Sequence, residues 1–192
     1  MARPQRADHR ELLISVVAKQ LTMGQEMHMA NACREIGIVP SLANHYFADK
    51  SELSRLAWLR VIEANISRDF DRLTYLGDKV DWEGVESFIY EVFSPERSRI
   101  REAHIRGLAS AFQDDELKDL LESAQAKTTT SWIDLLTKFT EAGVLNPKVD
   151  IGAIAVMFSA LPLGVTAVHG ELSDLHRKQL AAAWLQMLRA VL

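Results

Sequence analysis

The chain has 192 residues, of which 48% are hydrophobic, and a formal net charge of −4. This length and apolar content suffice for a sizeable core without covalent cross-links, and the net charge excludes a general attraction to nucleic acid. The charge is unevenly distributed: residues 1–60 contain eight Lys and Arg against six Asp and Glu, and the remainder contains fourteen against twenty. A slightly basic N-terminal part on an acidic body favours nucleic acid at one end only.

The single cysteine, Cys33, excludes a disulfide within the chain. It lies on the apolar side of a predicted helix, where we expect a small core residue, with a redox switch as the alternative. The N-terminus lacks the apolar segment of a secretion signal, and no apolar run is expected to approach the roughly 18 residues of a membrane span. These features predict a cytoplasmic protein.

Apolar residues recur at three- and four-residue spacings, and no stretch alternates with a period of two. The sequence therefore predicts an all-α protein of about nine helices, with an N-terminal three-helix domain at residues 1–48 and a helical body at residues 49–192. After a basic arm at residues 1–7, a stripe of apolar residues marks the first helix: Leu12, Leu13, Val16, Val17 and Leu21.

Residues 29–50 have the pattern of a helix-turn-helix. An apolar helical run ends before Gly37, which accepts the positive φ of a tight turn, and Pro40 suits the first turn of the next helix. The second helix of such a motif lies in the major groove of DNA. Its polar side predicts the following DNA-contacting residues: Pro40, Ser41, Leu42, Asn44, His45, Tyr46 and Lys50. Ala43 and Phe47 are predicted to face the core, and an ordinary helical hairpin with a polar face is the alternative.

The same stretch resembles a known family. Residues 35–38, Glu-Ile-Gly-Ile, and residues 44–53, Asn-His-Tyr-Phe-Ala-Asp-Lys-Ser-Glu-Leu, are similar to the signature of the TetR family of bacterial transcriptional regulators. The order His-Tyr-Phe-x-Asp-Lys is closest to the BetI-like branch, whose namesake is a choline-responsive repressor. The resemblance spans roughly Arg6 to Leu59. Within it, Val39 stands where the family usually has a capping Ser, and Met27 and His28 replace a capping Thr.

The long fourth helix is predicted to begin at Asp49 and to run for about 27 residues to Gly77, a length of about 40 Å. In the sixth helix the predicted buried stripe consists of Ile100, His104, Leu108 and Phe112, and the arginines from Arg97 to Arg106 are predicted to form a solvated face.

The seventh and eighth helices have different apolar patterns. The seventh is predicted to begin at Asp114 and to bury one stripe: Leu117, Leu121, Ala124, Thr128, Trp132, Leu135 and Phe139. The eighth, from about Val149 to His169 with Pro162 inside it, is apolar nearly all round. Such a helix needs burial on more than one side, either within the subunit or against a second copy.

The family resemblance implies that the last two helices form a four-helix bundle with those of a second subunit. The predicted interface residues are Phe158, Leu161, Val165, Leu180, Trp184 and Leu188. Such a homodimer would set its two DNA-reading helices roughly 34–36 Å apart, and its operator would be palindromic.

A ligand pocket is predicted between the long helix and helices five to seven. Its candidate lining residues are Phe70, Trp82, Phe88, His104, Phe112, Thr128, Trp132 and Phe139. The alternative for each is an ordinary core position, although a histidine in an apolar stripe needs a polar partner. An aromatic cage for a quaternary amine is a further alternative.

The sequence lacks a Gly-rich phosphate loop, a His/Cys metal spacing and a nucleophile elbow. We therefore expect no enzyme activity, no metal and no cofactor. The resemblance implies a TetR-like repressor that a small-molecule effector releases from double-stranded DNA. The alternatives are an all-helical small-molecule binding or interaction protein that no longer binds DNA, and an unrecognised enzyme.

Overall fold

The computed structural model describes residues 6–77, 82–143, 150–170 and 172–191. Within these ranges the chain forms nine α-helices and no strand, which confirms the predicted all-α class. In chain order the helices are α1 (Arg6–Thr22), α2 (Met29–Glu35), α3 (Pro40–Ala43), α4 (Lys50–Gly77), α5 (Trp82–Val92), α6 (Pro95–Ala111), α7 (Asp115–Glu141), α8 (Ile151–His169) and α9 (Asp174–Val191).

Helix α1 packs along α4 through a buried stripe that consists of Leu13, Ile14, Val17, Ala18 and Leu21. The prediction for this helix was wrong at Leu12, which is 44% exposed, and Ile14, which was not predicted, is buried. The buried face of α1 therefore includes Ile14 and Ala18, which the apolar spacing alone did not single out.

A tight turn joins α2 to α3. Gly37 has φ +75°, and the Ile38 N–H donates to the Cys33 carbonyl at 2.9 Å, so the turn closes the end of α2 with the hydrogen bond of a Schellman motif. Only glycine adopts this φ at no cost. Cys33 is fully buried, as expected of a core residue, and burial raises the pKa of its thiol.

Helix α4 starts with two reciprocal hydrogen bonds. The Asp49 carboxylate accepts the Glu52 N–H at 2.8 Å, and the Glu52 carboxylate accepts the Ala48 N–H at 2.6 Å. Both bonds satisfy donors that a helix start leaves open, so the chain turns directly from the helix-turn-helix into α4. The helix runs for 28 residues and ends at Gly77, as predicted.

Two clusters of buried residues form the core. One joins α1–α4 with parts of α6 and α7, and the other joins α5, α7, α8 and α9. The first cluster extends beyond residue 48, since Leu53, Ala103 and Leu117 belong to it. The division of the chain at residues 48 and 49 remains a prediction.

The face that α6 buries differs from the predicted one. Arg97, Arg101 and His104 are 2%, 5% and 3% exposed, whereas Leu108 and Phe112 are 40% and 90% exposed. The predicted stripe was therefore wrong at Leu108 and Phe112, and the predicted solvated arginine face was wrong at Arg97 and Arg101. The cause is close helix packing: a Cβ at Gly107 would stand 3.1 Å from Cε3 of Trp58, so only small residues fit the crossing with α4.

Helix α7 buries the predicted stripe except for Ala124, which is half-buried, and Leu136 joins it. Its N-cap is Asp114, whose carboxylate accepts the Leu117 N–H at 3.0 Å. The same carboxylate accepts from Nε of Arg55 at 2.8 Å, which ties α4 to the start of α7. These hydrogen bonds, the one from Arg55 first, hold the pKa of Asp114 below its ordinary value.

Helix α8 begins at its N-cap Asp150, continues through Pro162 and ends at Gly170. By length and a mean hydropathy of 2.1 it could cross a membrane, so the expectation that no apolar run approaches a span was wrong for this helix. Core helices of water-soluble proteins meet the same two criteria. Only 17% of the 18-residue apolar window is buried within the chain, so one apolar side of α8 is left uncovered.

Candidate nucleic-acid interface and ligand cavity

The predicted DNA-contacting residues lie on a short segment between α2 and α4. Pro40, Ser41, Asn44, His45 and Lys50 are exposed, and the other two candidates, Leu42 and Tyr46, are half-buried. The regular helix is short, since α3 covers only Pro40–Ala43.

The segment continues as tight turns beyond α3. The His45 N–H donates to the Leu42 carbonyl at 3.1 Å, and the Tyr46 N–H donates to the Ala43 carbonyl at 2.9 Å. Such bonds to the third residue back are typical of the tightened end of a helix. Asn44 and His45 therefore still project from a helical turn.

Buried residues anchor this segment to the rest of the N-terminal helices. Ala43 is fully buried and Phe47 is 4% exposed, as predicted. The Arg10 guanidinium lies 5.3 Å from the centre of the Phe47 ring, within the range of a cation–π contact. The hydroxyl of Tyr46 is 3.2 Å from Nδ1 of His9, so α1 positions this side chain.

Neither helix of the motif has a side-chain cap. His28 and Val39 occupy the N-cap positions of α2 and α3 with extended backbone, and neither side chain accepts a backbone N–H. Pro40 has no N–H and the Leu42 N–H donates to the Val39 carbonyl at 3.0 Å, so the Ser41 N–H is the first donor of α3 that lacks a side-chain cap.

A second candidate site is a cavity of about 60 Å³ within the helical body. Side chains from α4–α9 line it: Ile66, Phe88, Val92, Arg97, Arg101, His104, Gln125, Thr128, Trp132, Phe158, Ser159, Pro162, Leu163 and Trp184. It has room for a few water molecules and is well below the roughly 300–1,000 Å³ of small-molecule sites. A ligand of ordinary size would have to widen it.

Four of the predicted pocket residues line this cavity: Phe88, His104, Thr128 and Trp132. Two others do not. Phe139 packs in the core cluster of α5, α7, α8 and α9, and Phe112, at the end of α6, is 90% exposed, so its assignment to a pocket was wrong. The side chains of Phe70 and Trp82 lie outside the described part of the chain.

Two buried guanidinium groups contribute to the cavity wall. Arg101 donates from Nε to Oγ1 of Thr166 at 2.8 Å, from Nη2 to Oγ of Ser98 at 3.2 Å and from Nη1 to the Val92 carbonyl. Nη2 of Arg97 lies 3.4 Å from a carboxylate oxygen of Glu91, whose side chain is 35% exposed. These contacts hold two cationic groups at defined positions inside the body.

His104 is the third basic residue of the cavity. Burial lowers its pKa from 6.5 to about 4, so the imidazole is neutral near pH 7. A neutral imidazole has one donor and one acceptor nitrogen and can therefore bind either kind of polar group.

Aromatic rings also line the cavity. The Phe158 ring centre lies 5.2 Å from that of Trp132 and 5.2 Å from that of Trp184, distances typical of stabilising aromatic pairs. The structure thus places Phe158 and Trp184 inside one subunit, and Leu188 is buried there as well, at 6% exposed. Within one subunit the packing of α7, α8 and α9 buries Trp184 and Leu188 and leaves Phe158 half-buried, and the role of these residues as dimer contacts stays a prediction.

The sequence prediction missed Arg97 and Arg101. A signal was present, since residues 97, 101 and 104 are spaced four and three apart and so share one face of a helix. Arginine side chains are usually exposed, so this spacing was not interpreted as a buried face.

An open groove of about 380 Å³ lies beside the cavity, between α4 and α7. It shares Ile66 and Thr128 with the cavity, and its other lining residues include Leu59, Leu120 and Lys127. The groove and the cavity therefore adjoin at the seam between these two helices.

The uncovered side of α8 is a continuous apolar surface. Val156 and Met157 are each 55% exposed and Val168 is 76% exposed, and the small Ala160 and Gly164 lie between them. Of the predicted interface residues, Leu161 and Val165 line a shallow depression on this surface, and Leu180 is half-buried on α9.

Among the described residues, no group of three His, Cys, Asp or Glu side chains is placed to hold a metal ion.

The architecture is that of a helix-turn-helix head carried by a long helix on an all-helical body with an internal cavity. Solved structures of TetR-like regulators share this fold over nearly the whole chain. A Mesorhizobium loti protein assigned to the TetR family matches with a TM-score of 0.78 at 16% identity, covering 98% of both chains.

Two further structures match in the same way. Salmonella enterica GusR gives 0.73 at 14% identity, covering 98% of this chain and 97% of that one, and a Rhodococcus protein assigned to the TetR family gives 0.68 at 16%, covering 94% and 98%. No family profile and no curated protein matches the sequence. The chain therefore has the TetR fold, while the BetI-like branch stays a prediction.

Proposed function

We propose that the chain is a homodimeric transcriptional regulator of the TetR type, which binds a palindromic operator and is released from it by a small-molecule effector. The exposure of Ser41, Asn44, His45 and Lys50 on the helix-turn-helix carries the proposal. These residues have side chains that hydrogen-bond to base edges and phosphates, and they surround an anchor, Ala43 and Phe47, that fixes their position.

The uncovered surface of α8 supports dimerisation. Exposed apolar patches of this extent on soluble proteins mark interaction sites. A second copy that packed its own α8 against Val156, Met157 and Val168 would bury the surface in an isologous contact. The two heads would then be held at a fixed separation, as an operator with two half-sites requires.

Release by an effector is supported by the position of the cavity against α4. Ile66 belongs both to this helix and to the cavity wall, and the helix-turn-helix immediately precedes α4. A ligand that favours a wider separation of α4 and α7 shifts the population of dimers away from the operator-binding state. Binding to DNA and to the effector would then oppose each other. We propose a cytoplasmic location and no enzymatic role.

A binding assay on DNA tests the proposal. Purified protein is mixed with a random oligonucleotide pool and with the DNA that flanks its own gene, and bound sequences are recovered. We expect a palindromic footprint whose affinity falls steeply with salt. Lys50→Ala should weaken binding to all sequences, and His45→Ala should relax specificity at one position per half-site.

The matched control for Lys50→Ala is Lys138→Ala, which removes an exposed lysine from the last turn of α7, at the opposite end of that helix from Asp114. It should bind DNA as the wild type does. Equal loss in both variants, or full sequence specificity in His45→Ala, contradicts the proposed interface.

Dimerisation has its own test. Val168→Glu places a charge on the uncovered surface of α8 and should give a monomer by light scattering. Phe112→Glu, at a still more exposed apolar side chain just after α6, should leave the dimer intact. A dimeric Val168→Glu variant would contradict the proposed face.

The second candidate function is an all-helical ligand-binding protein without DNA binding. The missing caps at His28 and Val39 and the single regular turn of α3 favour it. No enrichment of any DNA sequence, together with measurable ligand binding, would support this candidate instead.

A further inference from the structure

The cavity combines aromatic walls with fixed positive charge. Phe88, Trp132, Phe158 and Trp184 supply the rings, and Arg97 and Arg101 line the same cavity. Aromatic walls alone would suit a quaternary amine through cation–π attraction. A cation placed here, however, would meet the guanidinium groups of Arg101 and of Arg97, which has the partly exposed Glu91 carboxylate 3.4 Å away, in surroundings that screen charge poorly.

An anion in the same position would be attracted. Guanidinium groups bind carboxylates through paired N–H donors, and such charge-assisted bonds are roughly twice as strong as neutral ones. Arg101 is already oriented by Thr166, Ser98 and the Val92 carbonyl, so little side-chain entropy would be lost on binding. His104 also lines the cavity, and its neutral ring contributes no charge of its own.

We propose that the cavity binds an apolar monocarboxylate, with the carboxylate at Arg97 and Arg101 and the apolar body against the aromatic rings. This inference deepens the proposed function, on which its regulatory meaning rests, by naming the chemical class of the effector. The cavity itself is small, about 60 Å³, so the body of the ligand extends along the α4–α7 seam into the adjoining groove. Leu59 and Leu120 of that groove offer apolar contacts, and Lys127 lies at its exposed side.

Probes that share one apolar body and differ in charge test the proposal on the full-length protein. A series from phenylacetate to phenylbutyrate, together with matched alkyl carboxylates, is compared with the corresponding amides and trimethylammonium compounds. Binding is followed by calorimetry and by tryptophan fluorescence, since Trp132 and Trp184 line the cavity. We expect the best carboxylate to bind at least about tenfold more tightly than its amide, and no saturable binding of the cations.

Variants on α6 localise the charge preference. Arg101→Met should remove the preference for carboxylate over amide, and Arg97→Met, which leaves the hydrogen bonds of Arg101 in place, should reduce it. Arg99→Met is the matched control, because it removes an exposed arginine from the same helix and should leave the preference unchanged. Circular dichroism establishes that each variant is folded, and the Arg97 variant serves if Arg101→Met is not.

Three ligand results overturn the inference: amides bind as tightly as carboxylates, cations bind most tightly, or no carboxylate in the series binds at millimolar concentration. The inference also fails if Arg99→Met changes the preference for carboxylate as much as Arg97→Met does. The assay contains no DNA, so these results are independent of operator binding. Carboxylate binding without operator binding would support the ligand site and contradict the proposed regulator. Operator binding without carboxylate binding would support the regulator and contradict the ligand site.

Discussion

Replacement of His104 by glutamine should make the protein more resistant to acid. The buried imidazole has a pKa of about 4, against 6.5 in its ordinary state, because burial disfavours the charged form. At about 1.4 kcal/mol per pKa unit, this difference corresponds to about 3 kcal/mol of folding free energy. The unfolded chain takes up the proton first, so protons favour unfolding between these two values.

The sign and range follow from that difference. Above pH 6.5 the histidine is neutral in both states and exerts no effect. As the pH falls from 6.5 towards 4, the wild type loses stability, with about 2 kcal/mol lost by pH 5 and about 3 kcal/mol by pH 4. Glutamine keeps a polar side chain but does not titrate, so His104→Gln should lack this component.

Urea unfolding followed by circular dichroism at several pH values, at one protein concentration, measures the difference. His45→Gln, which removes an exposed histidine, is the control and should follow the wild type. The reasoning is refuted if wild type and His104→Gln lose equal stability between pH 7 and pH 4.

Three further predictions concern contacts between α6 and its neighbours and the start of α7. Asp114→Ala removes the cap of α7 and the partner of Arg55 and should lower the free energy of urea unfolding by about 1–2 kcal/mol, whereas Asp114→Asn keeps a capping oxygen and should cost less than about 1 kcal/mol. Gly107→Val should lower the melting temperature through a loss of about 2 kcal/mol or more, because even a Cβ would stand 3.1 Å from Trp58. Arg106→Met removes donors to the Leu21 and Thr22 carbonyls, at 3.1 and 3.3 Å, and should speed amide exchange at residues 19–24 by about tenfold.

Each of these variants has a control. Ala109→Val adds the same side chain as Gly107→Val at an exposed position of α6 and should be nearly neutral, and Arg99→Met plays this part for Arg106→Met. Equal stability of the two Asp114 variants would contradict the capping role, a Gly107→Val protein as stable as Ala109→Val would contradict the tight crossing, and unchanged exchange in Arg106→Met would contradict the link to α1.

The fold was predictable wherever apolar side chains alone define the buried face. In α7 the positions of Leu117, Leu121 and Trp132 follow a helical period, and the structure buries all three. The same reasoning failed in α6, because its buried face consists of small residues and hydrogen-bonded arginines. Burial of Arg101 depends on acceptors from distant parts of the chain, such as Thr166, which no local pattern reveals.

The candidate sites divide in the same way. The helix-turn-helix residues form one short segment, so their common exposure could be read from the sequence. The cavity draws side chains from six helices. Phe158 and Trp184 line it although the sequence predicted them as dimer contacts, because an apolar pattern cannot distinguish burial within a subunit from burial between subunits. Exposed Val156 and Val168 on α8 became visible only once the opposite side was known to be packed.

The continuity of α4 gives the molecule a lever with unequal arms. Ile66, in the cavity wall, lies roughly 16 residues from Lys50, which is about 24 Å along the helix axis. A tilt of about 8° about Ile66 would therefore carry Lys50 through about 3.4 Å, the rise of a single base pair. The two subunits of a dimer would tilt in opposite senses, so the displacement between their helix-turn-helix heads would be twice as large. A ligand of modest size would then be sufficient to move the two heads away from the spacing of their half-sites on the DNA.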